Sequence, residues 1–518
     1  MSLAKMKRTA TLLLLLAALA GVFSSVQAAG ARQDVAPGMT ETPTSTATPG
    51  EISPTATVTE TPTEAISETP TETPTETPTA TLAVGNPENI DSPLAIPTNE
   101  WPQVQRDSLH TGYYPAALGT NFQVAWHHAF QPEKVYPQVQ AIVSAGKVFV
   151  GTEMGNLYAF NSTNGSQAWK YTAGAPILNS VASDGTRVFF GAMDGAIYAL
   201  DIASGALSWK TQLSQFQGFS TAPVIADGKV LLGGRNGIFY ALNPSTGAVV
   251  WSYNVGSPIL QTAAWNGGKA YFGAMNMYVY ALNTSNGSLA WKSARIPGMA
   301  FKDYWPVVNN GMVYVRPMTY GYIGFESSDY SQILNASMQN SLLADYAAHP
   351  ANYSPSLFRL NESDGRMATM VIHYSFQTMN GATAPPCIDR DGYMIMPAWA
   401  PNHQNFTGWA RLNVSSRILV DALVDSSNNT AGNGNPDENM AVTCSSNLIL
   451  AMHIEEENAN FTGFFNLDTR HWTRISPGWS NQQMANNTQG GGANPASIAN
   501  GMVYHISKYE LIARTTQP

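Results

Sequence analysis

Cysteine, charge and long apolar runs are all scarce in this chain. It has 2 Cys, Cys387 and Cys444, and charged residues make up only 12% of its 518 positions. So few thiols exclude a Cys-x-x-Cys metal or redox motif, a haem-attachment Cys-x-x-Cys-His and a dense disulfide framework. The pair itself reads either as one disulfide in an oxidising compartment or as two buried free thiols, because sequence does not fix their Cα separation. No His-x-x-x-His or Gly-x-Ser-x-Gly spacing marks a zinc or serine-nucleophile site. A basic surplus is also missing: 26 Lys and Arg stand against 35 Asp and Glu, a net charge of −9. Phosphate backbones need a basic surface, so nucleic acid is excluded as a partner.

The single long apolar run, Leu12 to Phe23, follows Lys5, Lys7 and Arg8 and precedes Val26-Gln-Ala28. This is the pattern of a secretory signal peptide over residues 1–28, too short for a good membrane span; an uncleaved anchor is the alternative. No second candidate span follows, so no transmembrane segment is expected after cleavage. Residues 29–98 are rich in Thr, Pro and Glu (Glu68-Thr-Pro-Thr-Glu-Thr-Pro) and poor in large apolar side chains. Such a tract cannot bury enough surface to fold and is expected to be a disordered stalk. Its acidic residues, Glu41 to Asp91, account for most of the net charge, which leaves residues 99–518 with about −3.

What is present is repetition. Tyr158-Ala-Phe-Asn161, Tyr198-Ala-Leu-Asp201, Tyr240-Ala-Leu-Asn243 and Tyr280-Ala-Leu-Asn283 are each followed by a glycine (Gly165, Gly205, Gly247, Gly287) and a tryptophan (Trp169, Trp209, Trp251, Trp291). The spacing of about 40 residues marks a repeat protein. Each unit contains four short strand patterns separated by turn residues, the content of one propeller blade. Asn or Asp opens the turn, Gly takes its positive-φ position, and Trp covers a wide apolar area while offering its N–H to a carbonyl. These tryptophans and glycines are therefore read as structural, together with Trp126.

The segment Trp101-Pro-Gln-Val-Gln-Arg-Asp107-Ser-Leu-His110-Thr-Gly112-Tyr-Tyr-Pro115 resembles the opening of the quinoprotein-like propellers. Ala-x-Asn/Asp-x-x-x-Gly-x-x-x-Trp is similar to the tryptophan-docking motif of the same family. The resemblance implies a PQQ-like repeat propeller over 99–518, nearer to the outer-membrane barrel-assembly propeller than to the pyrroloquinoline-quinone (PQQ) dehydrogenases. A dehydrogenase would carry PQQ and calcium under adjacent cysteines. Cys387 and Cys444 are far apart in sequence, so no cofactor is expected, with PQQ and calcium as the alternative.

Beyond Lys292 the period loosens, yet a fifth unit (Trp305 to Asn361, with an insertion over 318–355), a sixth and a seventh remain readable. Within the insertion, Ser331–Ala348 has helical spacing through Ile333, Leu334, Met338, Leu342, Leu343 and Tyr346. The last unit lacks an outer strand, which Gln123-Val-Ala-Trp126-His-His128 supplies from the start of the domain. The expected fold is thus all-β, an eight-bladed propeller closed by an N-terminal strand, with seven blades as runner-up.

Connections between second and third strands, and between blades, share one face in such a ring. They are enlarged on blades five to eight, where a binding site on a rigid scaffold is expected. The candidates are Asp303, Tyr304 and Arg316; Trp399, Asn402, His403 and Asn405; Glu455, Glu456 and Asn458; and Trp479. Amides beside aromatic faces suit a protein or polysaccharide ligand. The expected protein is a secreted, extracellular or cell-surface monomer (periplasmic where there is an outer membrane), non-catalytic, with a dehydrogenase as the alternative.

Overall fold

The computed structural model describes residues 96–215, 217–302, 304–318, 334–352, 357–369, 386–399, 407–423, 442–456, 459–475 and 494–517. The signal and stalk assignments over 1–28 and 29–98 lie almost wholly outside them.

Eight sheets of sequential antiparallel strands form a ring. Blade 1 comprises Ile142–Ser144, Lys147–Gly151, Asn156–Asn161 and Gln167–Thr172. Blade 2 follows with Ala182–Ser183, Arg187–Gly191, Ala196–Asp201 and Leu207–Gln212. Blades 3 and 4 repeat the pattern from Val224–Ala226 to Val249–Asn254 and from Ala264–Asn266 to Leu289–Lys292. The degenerate fifth unit is a complete blade: Val307–Asn309, Met312–Val315, Phe358–Asn361 and Met367–Thr369. This decides for eight blades rather than seven. Blade 6 runs from Cys387–Ile388 to Ile418–Ala422, and blade 7 from Val442–Ser445 to His471–Arg474.

Blade 8 takes three strands from the C-terminal part, Ser497–Ala499, Met502–Ile506 and Glu510–Gln517, and its outer strand, Asn121–Ala129, from the N-terminal part. The two chain regions pair antiparallel from Asn121↔Gln517 to Ala129↔Glu510. Closure of this kind leaves no inter-blade gap with an open edge.

The period-40 residues explain how blades lock together. Trp126, Trp169, Trp209, Trp251 and Trp291 each donate Nε1–H to a carbonyl of the following blade: Ser162 (3.0 Å), Ile202 (3.1 Å), Pro244 (2.9 Å), Thr284 (2.8 Å) and Glu362 (2.9 Å). Each indole lies flat against the turn glycine of that blade, Gly165, Gly205, Gly247, Gly287 and Gly365 in turn. These glycines have φ between +70° and +75°, which leaves no room or conformation for a Cβ. Later junctions use other chemistry. Arg359 Nη1 donates to Val414 O at 3.1 Å, Arg470 grips Asp421 at 2.9 and 3.0 Å, and Trp472 bonds backward to Leu423 O at 2.7 Å.

Cys387 and Cys444 are joined, with Cα atoms 5.9 Å apart, and tie the innermost strands of blades 6 and 7. The insertion of blade 5 forms a helix, Ala336–Ala348, capped by the Asn335 side chain on Met338 N. It starts later than the periodicity predicts, and Met338 is exposed instead of packed. Gln339 is the buried contact: its side chain donates to Leu419 O (2.8 Å) and accepts from Leu419 N (2.7 Å). The helix therefore sits on the outermost strand of blade 6, at the rim of the ring.

Candidate functional site

A propeller has two axial mouths, and here the chain fills one of them. Residues 98–114 run around the inside of the ring, almost wholly buried from Trp101 on. Both ends of this strap lie at the turns between first and second strands. Thr98 O accepts from Asn500 N (2.8 Å) in blade 8, the Glu100 carboxylate accepts from Ala145 N (3.0 Å) in blade 1, and Ala116 O accepts from Ser446 N (3.3 Å) in blade 7. Tyr113–Tyr114 adds a fifth, parallel strand to blade 7 through Tyr113↔Cys444 and Tyr114↔Ser445.

The middle of the strap fills the axis. Gln105 and Arg106 have φ of 52° and 74° and make a turn that points inward. Gln105 N donates to Gln140 Oε1 (2.7 Å), Gln140 Nε2 donates to Ala496 O (2.8 Å), and Gln105 Nε2 reaches Val442 O (3.5 Å). The Gln105 and Gln140 side chains together thus link the neighbouring blades 7, 8 and 1. Arg106 binds both ends of the strap, through Nη2 to Ile96 O (2.6 Å) and Nη1 to Tyr113 O (3.4 Å). Burial lowers its pKa from the usual guanidinium value, with Asp107 beside it opposing. Asp107 accepts from Leu109 N, Thr111 N and Thr111 Oγ1, which fixes the following turn. His110 Nδ1 lies 3.0 Å from Pro306 O; a carbonyl only accepts, so this nitrogen carries the proton.

On the side of the ring away from those turns lie the described ends of the enlarged connections. Of the sequence candidates there, Tyr304 and Arg316 are brought together in blade 5. Tyr304 is buried with φ of 52°, its carbonyl accepts from Thr262 N (2.8 Å), and its ring meets Trp305 edge-on at 5.5 Å. Arg316 follows the second strand, at the register position held by Gly151, Gly191, Gly233 and Gly273 in blades 1 to 4. Burial lowers Arg316 to about 10, with Tyr304 opposing. Trp399, Glu455 and Glu456 fall at strand ends, Trp399 opposite Thr407 and the two glutamates opposite Asn460 and Ala459. Asp303, Asn402, His403, Asn405, Asn458 and Trp479 lie outside the described residues.

Sequence reasoning missed a repeated polar brace on blades 1 and 2. Glu133 accepts from Thr152 Oγ1 (2.7 Å), Asn156 Nδ2 (2.9 Å), Tyr158 OH (2.6 Å) and Lys170 Nζ (3.3 Å). Asp194 accepts from Tyr198 OH (2.5 Å) and Lys210 Nζ (2.9 Å). Burial alone would raise both carboxyls, but these hydrogen bonds outweigh it and hold them below their usual values. The signal was present as Tyr and Lys at the same repeat positions, twelve residues apart.

A quinone with calcium needs a set of anionic oxygen donors around an open axial space. The described residues do not compose one. No group of three or more His, Cys, Asp or Glu side chains converges among them. The buried carboxylates are committed elsewhere, Asp107 to the strap turn and Asp389 to Arg411 (2.7 Å) and the amides of Asp391 and Tyr393. Asp389-Arg-Asp-Gly392 is a hairpin turn, as its repeat position implies.

A family model described as outer membrane protein assembly factor BamB matches residues 120–266. No curated protein matches the chain in sequence. Among solved structures, the quinohemoprotein alcohol dehydrogenase ADHIIG from Pseudomonas putida HK5 is 12% identical, with TM-score 0.52 over 81% of this chain and 80% of that one. A europium-containing methanol dehydrogenase is 10% identical, with TM-score 0.53 over 81% and 98%. BamB from Moraxella catarrhalis is 14% identical, with TM-score 0.48 over 76% and 99%. The likeness to the two dehydrogenases shows a shared fold, the β-propeller. Among the described residues no helix is long and apolar enough to cross a membrane.

Proposed function

We propose that this chain is a non-catalytic binding propeller, exported from the cytoplasm on its N-terminal signal and held out by the Thr/Pro/Glu-rich tract. Its partner is a macromolecule that docks on the face of the enlarged connections of blades five to eight. The observation that carries this reading is the strap. With the other axial mouth filled by Gln105 and its neighbours, a ligand approaching along the axis meets the ring only from the side of those connections. The match of residues 120–266 to an assembly-factor family model favours a protein partner over a polysaccharide.

The test is to probe the secreted mature chain against peptide and glycan arrays, alone and with residues 318–355 deleted. Binding to peptides that is lost on deletion, while the thermal midpoint of the ring is kept, is the expected result. Binding that survives the deletion would move the site elsewhere. Incubation with PQQ and calcium is expected to give no bound quinone absorption band and no dye reduction with alcohols or sugars. A band with turnover would replace this proposal by the dehydrogenase.

A further inference from the structure

The innermost strand of a blade turns one edge toward the axis, and its unpaired amides need acceptors. In seven blades one amide at the same place on that strand donates to the strap. Val143, Ser183, Ile225 and Trp265 donate to Trp101 O (3.0 Å), Pro102 O (2.8 Å), Gln103 Oε1 (3.0 Å) and Ser108 O (2.7 Å). Val308, Ile388 and Cys444 donate to Leu109 O (2.9 Å), Thr111 O (2.8 Å) and Gly112 O (2.9 Å). The blades are visited in order, and all but one of these acceptors are main-chain carbonyls.

We infer that the axial end of the ring is a binding site for the main chain of one extended, circling peptide, and that residues 98–113 are its resident intramolecular ligand. The ligand class is set by the donors. A ring of N–H groups turned toward the axis at blade spacing donates to successive peptide carbonyls and reads little of their side chains. Side chains of the strap enter the seams between blades: Trp101, Val104, Leu109 and Tyr113 each join a different apolar cluster. The turn is locked on itself by Gly112 N to Gln105 O (3.1 Å) and by Arg106 across its two ends. Gly112 has φ of +61°, and a Cβ there would fall 2.6 Å from Gln105 Oε1 and 3.2 Å from Cys387 Cβ.

A ligand can be separated from its site. Ala117 and Thr120 are exposed between the strap and the first outer strand, so a protease recognition sequence placed between Gly119 and Thr120 of the mature full-length chain cuts the strap free of the ring. The expected result is that the two fragments co-elute after cleavage and part only in denaturant. Hydrogen exchange at Val143, Ser183, Trp265, Val308 and Cys444 then rises at least tenfold. Adding a synthetic peptide of residues 96–118 restores protection, and the same peptide carrying Gly112→Val binds at least tenfold more weakly. Two results overturn the inference. One is fragments that part in native buffer while those amides stay protected. The other is a ring fragment that loses protection and is not rescued by excess wild-type peptide.

Discussion

Trp209 and Gly247 lie on adjacent blades, and a Cβ added to Gly247 would fall 2.5 Å from Trp209 Cε3. The contact joins two requirements in one place. The turn of blade 3 needs φ of +71°, and the indole of blade 2 needs a flat surface beneath the carbonyl of Pro244. Trp209→Ala is expected to cost about 3–5 kcal/mol by opening that seam. Gly247→Ala is expected to cost about 2–4 kcal/mol through the left-handed backbone and the displaced ring. Because both changes damage one contact, the double variant is expected to lose less than the sum, which denaturant unfolding of the four chains measures.

The Cys387–Cys444 bridge closes a loop across 57 positions between the innermost strands of blades 6 and 7. Chain-entropy bookkeeping for a loop of that length gives about 4 kcal/mol. The double variant Cys387→Ser, Cys444→Ser is expected to lose an amount of that order in denaturant unfolding, and reductant is expected to leave it unchanged. The native chain should fall to the level of the variant only when reductant is present during unfolding, because both cysteines are fully buried. Equal stability of native chain and variant would mean that blade packing alone holds this junction.

The parts of the fold legible in sequence were those set by local chemistry. Tyr-Ala-x-Asn, the turn glycine and the tryptophan recur because every blade solves the same junction. The missing outer strand of blade 8 could be located because Trp126 carries the same signal. The strap was visible only as a segment of family resemblance. Its path depends on amides from eight blades that no stretch of sequence brings together, and on positive φ at Gln105, Arg106 and His110, which are not glycines. The helix showed a related limit. A stripe of apolar residues predicted Met338 inward, but the partner is the edge of blade 6, which needs hydrogen bonds, so Gln339 is buried and Met338 faces water. Of the candidate site, Tyr304 and Arg316 are side chains the structure sets side by side. Arg316 could be noticed because it breaks a row of small residues, whereas the amides and aromatics of long connections follow no period.

Gln339 is the side chain that anchors the insertion to its neighbour. Gln339→Ala removes both bonds to Leu419 and leaves the Leu419 amide and carbonyl without these partners. Local docking is expected to weaken by about 1–3 kcal/mol. Limited proteolysis is expected to cut within 318–355 several-fold faster, while hydrogen exchange in the first strands of blades 1 to 4 stays unchanged. A global loss of protection instead would mean that the helix supports the ring as a whole.

The last expectation concerns pH. His110 is buried in the strap with Nδ1–H on Pro306 O and its ring against Trp305 at 5.7 Å. Burial lowers its pKa to about 4, against 6.5 for a free imidazole, and the hydrogen bond to Pro306 opposes only in part. The unfolded chain therefore takes up this proton first as pH falls. The ring keeps its full stability above pH 6.5 and loses it progressively between 6.5 and 4, by up to about 3 kcal/mol for this group. His505 moves in the same direction, through burial and then Arg514. Asp107 moves the other way, since burial raises its carboxyl and a folded state that binds a proton more readily gains as pH falls. The difference between the native chain and His110→Gln isolates the histidine: their unfolding midpoints should converge as pH falls from 7 to 4, because only the native chain has this proton to bind. Parallel curves over that range would show that His110 is already charged, or reaches water, in the folded ring.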